Sequence, residues 1–90
     1  MIIEKYLPLG SVVLLNGGKK RLMIYGRRQR QAGEDREWDY AACLFPEGNI
    51  DASQTYLFDH EQIERICYLG LCDEEEMQYQ DNFLQKEEQQ

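Results

Sequence analysis

With 90 residues, 42% apolar and 30% charged side chains and a net charge of −7, the chain has the composition of one soluble globular domain. A chain this short buries only about 60–65% of its unfolded surface, which leaves no room for a deep substrate cleft. The acidic balance argues against nucleic-acid binding, which draws on clustered cations. No apolar run approaches the roughly 20 residues of a membrane span.

From the N-terminus, Met-Ile-Ile-Glu-Lys-Tyr has no basic region ahead of an apolar core, so no secretory signal is expected and the protein is assigned to the cytoplasm. Glu4 to Gly10 reads as a lead-in, with Pro8 holding Leu7 extended. Ser11 to Leu15 is a first strand, Asn16-Gly17-Gly18 a tight hairpin turn, and Arg21 to Gly26 the returning strand. In that return, Leu22 and Ile24 share one face and Met23 and Tyr25 the other, the pattern of a central strand covered on both sides. Arg27 to Glu37, "RRQRQAGEDRE", has no hydrophobic period and is expected to be an exposed connection with a flexible tip.

Trp38 to Phe45 is the third strand, Pro46-Glu47-Gly48-Asn49 a turn, and Gln54 to Phe58 the fourth strand. Asp59 with Gln62 three residues on makes a capping-box pair for the short helical turn "DHEQIE". "RICYLGL", Arg65 to Leu71, resumes β character. A helix is expected over 73–87, because Asp73-Glu74-Glu75-Glu76 crowd its positive end. Met77 and Leu84, and Tyr79 and Phe83, give it a partial apolar stripe that we expect to fold back on the sheet, with a partner's groove as the alternative. Residues 88–90 should fray.

The expected fold class is therefore α+β. A small antiparallel sheet or partly open barrel of about five strands over 6–71 carries one helical turn before its last strand and a C-terminal helix. We detect no internal repeat, and the whole chain is read as a single domain.

Chemistry is sparse. His60 is the only histidine and reads as a capping or surface residue rather than a general base. Ser11 and Ser53 lack a nucleophile-elbow context, and the acidic run 73–76 lacks the oxygen-ligand spacing of a calcium loop. Three cysteines, Cys43, Cys67 and Cys72, cannot all pair within one chain and include no Cys-x-x-Cys. Cys43 and Cys67 lie in apolar stretches as small hydrophobes, and all three are expected to be reduced thiols. No catalytic residue, metal site or cofactor is expected.

Charge is unevenly spread. Residues 19–36 hold seven cations and two anions, while 73–90 hold seven anions and one cation. The cationic stretch has three readings: a solvated surface, a counterweight to the chain's own acidic helix, or a docking patch for an acidic partner. Lys19, Lys20, Arg27, Arg28 and Arg30, with Tyr79 and Phe83 from the helix, are the candidate partner-binding residues. An RNA-binding small barrel stacking bases on Tyr25, Tyr40 and Phe45 is the alternative in another class, although those residues alternate as core residues do.

The ordered set of motifs resembles the domain-of-unknown-function family 4176, small proteins of Gram-positive bacteria, from about Tyr6 to Phe83. The residues that carry the resemblance are Leu7, Pro8, Gly10 and Ser11 at the lead-in, Gly17 and Gly18 in the hairpin, and Met23, Ile24 and Gly26 at the strand end. Asp39-Tyr40, Pro46-Glu47-Gly48, Phe58, His60 and Glu61, and Ile63-Glu64 complete it. The stretch "RRQRQAGEDRE" is more basic than the family pattern. Such proteins are similar to those encoded beside type VII secretion genes and LXG-class antibacterial toxins. The resemblance implies a non-catalytic cytosolic chaperone or adaptor that binds a cognate secreted toxin, with an immunity protein as a further possibility. It supplies no catalytic residues.

Overall fold

A computed structural model describes residues 5–85. Five strands form one open antiparallel sheet: β1 (Val12–Leu15), β2 (Leu22–Arg30), β3 (Glu37–Leu44), β4 (Tyr56–Phe58) and β5 (Ile63–Tyr68), in the order β4-β3-β2-β1-β5. A 3-10 turn at Ala52–Gln54 precedes β4, and another at His60–Gln62 precedes β5. Helix α1 (Glu74–Tyr79) follows, and its last turn widens into π geometry over Gln80–Leu84. The α+β class is as expected. The sheet stays open rather than closing into a barrel, with β4 and β5 at its edges.

Alternation builds the core. Val13, Leu22, Ile24, Tyr40, Ala42, Phe58 and Ile63 project from the strands into one buried cluster, which Leu7 of the lead-in closes. Tyr6, Leu15, Leu44 and Ile66 pack around its rim. On the opposite row the small side chains of Val12, Ala41 and Cys43 are also buried. The central position expected for β2 is the one it occupies. The hairpin turn puts Gly17 at φ 76°, a left-handed conformation that a side chain resists.

Several expected boundaries move. The stretch 27–37 is not one exposed connection: β2 runs on through Arg30 and β3 starts at Glu37, so only 31–36 remain a loop. The continuation depends on a β-bulge, since pairing passes from Ile24↔Ala42 to Gly26↔Ala41 with Tyr25 as the extra residue. That shift reverses the alternation and sets Arg27 opposite Tyr40, on the core face. The fourth strand shortens, because Ala52–Gln54 is stabilised as a turn by the Asp51 carboxylate accepting from the Ser53 N–H. The last strand starts at Ile63 rather than Arg65 and ends at Tyr68. Cys43 is buried as expected, but Cys67 faces outward on β5, and all three cysteines are free thiols.

Both caps form. Gln62 accepts from the Asp59 N–H at 2.9 Å, closing the expected box, and Asp73 accepts from the Glu76 N–H at 3.0 Å. The expected frayed residues 88–90, and 86–87 of the expected helix, lie outside the described residues.

Candidate protein-binding surface

The C-terminal helix is amphipathic in the opposite sense to the one its apolar residues suggest. Its inward row is Glu76, Gln80 and Leu84, at spacings of four, with Gln80 and Leu84 buried. Both carboxylate oxygens of Glu76 accept from the Arg27 guanidinium, one of them from Nη2 at 3.1 Å. The Arg27 side chain is 6% exposed and that of Glu76 13%. Arg27 also donates to the Leu7 carbonyl at 3.3 Å, and Gln80 pairs with both backbone groups of Tyr6 while donating to Glu76. One bidentate ion pair thus joins the sheet, the lead-in and the helix. The apolar residues point elsewhere: Met77, Tyr79 and Phe83 are exposed, and only Leu84 of the expected stripe folds inward.

A second polar cluster lies beneath the lead-in. The Tyr40 hydroxyl accepts from the Leu7 N–H at 2.8 Å and lies 3.1 Å from His60 Nδ1. The other ring nitrogen faces Asp39 Oδ2 at 3.5 Å, and with the ring hydrogen on that nitrogen Nδ1 accepts from the hydroxyl. The Asp39 carboxylate also accepts from the His60 backbone N–H, and the Tyr6 ring packs against both His60 and Tyr40. Burial pushes the Tyr40 hydroxyl well above its ordinary pKa. It raises Tyr6 as well, with the Asp39 charge adding to it. An Asp-His-Tyr chain can relay a proton, but this one ends on a fully buried hydroxyl already bonded on both sides. Its geometry fastens the lead-in to the turn before β5. Among the described residues, no three His, Cys, Asp or Glu side chains converge to hold a metal ion.

The cations are spent largely on the chain's own acceptors. Lys20 Nζ lies 2.8 and 2.9 Å from the two Glu47 oxygens, and this bond holds the Glu47 carboxyl below the usual carboxylate range. Arg28, at φ 53°, reaches Glu37 at 3.3 Å and the Phe83 carbonyl at 3.1 Å. Arg30 donates to the Asp35 carbonyl, and Arg36 lies 3.5 Å over the Trp38 ring while donating to Asp59. Of the candidate partner-binding residues, Arg27 is interior, Arg28 is drawn to the helix end and Lys19 lies exposed in the hairpin. Tyr79 and Phe83 stack on each other at 5.2 Å on the outer face of the helix. Tyr40, one of the three ring platforms for RNA, is fully buried and cannot stack on a base.

Among the described residues, most of the exposed large apolar side chains lie towards the C-terminus. Tyr68, Leu69, Leu71, Met77, Tyr79 and Phe83 all face solvent. The chain leaves β5 by crossing over the lead-in, where Gly70 donates to Ser11 Oγ at 2.9 Å. A Cβ on Gly70 would come within 2.1 Å of the Leu9 carbonyl oxygen, so only glycine permits the crossing. Beyond it an open groove of about 700 Å³ runs between Leu9, Tyr25, Leu71 and Tyr79, with Asp73 and Glu75 on one wall. Sequence reasoning missed Leu9 and Leu71 as surface residues, and Tyr25 entered it only as a ring platform for RNA. Nothing local marks them, because the crossing brings together segments some sixty positions apart.

The family model described as "Domain of unknown function (DUF4176)" matches residues 6–79, and the chain belongs to that family. No curated protein and no solved structure matches it. Among the described residues, no helix is long and apolar enough to cross a membrane.

Proposed function

We propose that this DUF4176 chain is a non-catalytic protein-binding module, a cytosolic chaperone or adaptor for a type VII secreted toxin of the LXG class. The observation that carries the reading is the exposure of Tyr68, Leu69, Leu71, Met77, Tyr79 and Phe83 on a chain whose core is built without them. Large apolar surface of this kind marks an interaction site. A non-catalytic role accords with the Asp39-His60-Tyr40 chain, whose terminal hydroxyl is sealed beneath Leu7. Engagement of the arginines by the chain's own acceptors favours a protein partner over RNA. The secretion setting rests on the resemblance of the motif set to proteins encoded beside such toxins.

Co-expression with the toxin encoded next to it tests the proposal. The toxin should become soluble and co-purify with this chain. Unchanged toxin solubility with no co-purification defeats it. Protection of a recipient cell from the delivered toxin, with no effect on the producing cell's export, would assign an immunity role instead.

A further inference from the structure

Resting on that reading, we propose that the groove between Leu9, Tyr25, Leu71 and Tyr79 seats an amphipathic, cationic helix of the partner polypeptide. The floor and rim are apolar: Leu71 is 76% exposed, Leu9 48% and Tyr79 46%. The wall towards α1 is acidic, and there Asp73 and Glu75 are exposed, whereas Glu76 beside them is neutralised by Arg27. Apolar side chains of the occupant fill the groove, and its lysines or arginines meet Asp73 and Glu75.

The occupant's backbone state follows from the walls. A β-strand binds by adding to a regular open edge, but the β2 residues here, Tyr25, Gly26, Arg27 and Gln29, lie in a stretch that pairs with β3 on one side. On the other, past the end of the β1 pairing at Met23, the Tyr25 bulge, the left-handed Arg28 and the Gln29 side chain donating to the Arg27 carbonyl at 2.9 Å interrupt the backbone. The groove recognises side chains and supplies no regular ladder. A helix satisfies its own backbone groups and presents an apolar row, which suits such a groove. Its polar face must be cationic, because charges across an interface need to be complementary. A second copy of this chain would bring its own exposed acids to the same place.

Fluorescence anisotropy with two model peptides of about 18 residues, five helical turns, tests this. Both carry the same leucine row, one with lysines and one with glutamates on the polar face. The lysine peptide should bind about tenfold or more tightly than the glutamate peptide. The Leu71→Ser/Tyr79→Ser variant keeps the net charge and should lose about tenfold or more. Glu75→Lys should lose about fivefold or more, while Glu34→Lys, with the same charge change in the exposed β2–β3 loop, should lose less than about twofold. Circular dichroism checks that each variant remains folded. Equal losses in the two charge-swapped variants, or indifference to Leu71 and Tyr79, overturn the inference. Self-association on sedimentation that the groove variants abolish also overturns it, by assigning the groove to a second copy. A toxin that co-purifies equally with wild type and every groove variant overturns the groove but leaves the protein-binding reading standing. Failure of the wild-type chain to recover toxin defeats that reading instead, and the peptide series still decides the groove.

Discussion

The sheet and the C-terminal helix solve the same problem in opposite ways. In the sheet, Val13, Leu22, Ile24, Tyr40, Phe58 and Ile63 turn inward, and Arg27 is the charge that turns in with them to meet the helix. In the helix, Glu76 and Gln80 turn inward while Met77, Tyr79 and Phe83 turn outward. Burial of apolar area holds the first and is indifferent to direction. A few directional bonds hold the second, and they leave its apolar side chains exposed. The contrast shows that an amphipathic segment need not bury its apolar side against its own domain.

The largest effect should come from the region held by burial. Phe58→Ala removes a ring with no exposed surface and should cost about 3–5 kcal/mol in denaturant unfolding. An effect under about 1 kcal/mol would show that the apolar cluster is not the centre of stability. Next comes Glu76→Ala, which strands the Arg27 guanidinium and should cost about 3 kcal/mol. Amide exchange should then quicken over 74–84 while β2 and β3 keep their protection; uniform quickening would mean that helix and sheet are one cooperative unit.

Tyr40→Phe sits between the two regions, since the hydroxyl joins the core to the lead-in. Loss of its bonds to Leu7 and His60 should cost about 1–3 kcal/mol. It should also change the alkaline limb of stability. An unfolded tyrosine loses its proton near pH 10. Tyr40, and less strongly Tyr6, hold theirs to higher pH in the folded state because of burial. The native state therefore binds more protons above about pH 10, and stability present in full below that pH falls as pH rises. A stability profile from pH 8 to pH 12 should show that decline, and Tyr40→Phe should flatten it. An equal slope in both proteins would place the responsible groups elsewhere.

The smallest effect on stability belongs to the outward face. Phe83→Ser and Met77→Ser should each shift unfolding by no more than about 0.5 kcal/mol while weakening capture of the co-expressed partner. A loss of several kcal/mol would mean that these side chains are packed against the chain itself.

Local chemistry was legible in the sequence wherever a residue and its partner are neighbours along the chain. The Asn16-Gly17-Gly18 hairpin and the Asp59–Gln62 box need only a few adjacent positions, and each forms. So does the alternation that puts Leu22 and Ile24 on one face. Arg27 to Arg30 looked like a loop because charged residues seldom enter a strand interior. The reason they do lies elsewhere: the Tyr25 bulge turns Arg27 inward, and Glu76, 49 residues later, meets it. For the same reason the helix stripe misled. Periodicity shows that Met77, Tyr79, Phe83 and Leu84 are apolar, whereas Gln80 on the Tyr6 backbone decides which way they face. A capping role for His60 was in view, but its ties to Tyr40 and Asp39 needed the sheet to bring 39, 40 and 60 together.

The most direct test of an outward-facing binding surface is a hydrogen-exchange footprint of this chain alone and with its co-purified partner. Protection should rise over 68–83 and, where β2 lines the groove, over 25–29, with the exchange of β3 unchanged. Protection confined to the cationic hairpin and loop, at Lys19, Lys20 and 31–36, would contradict the account.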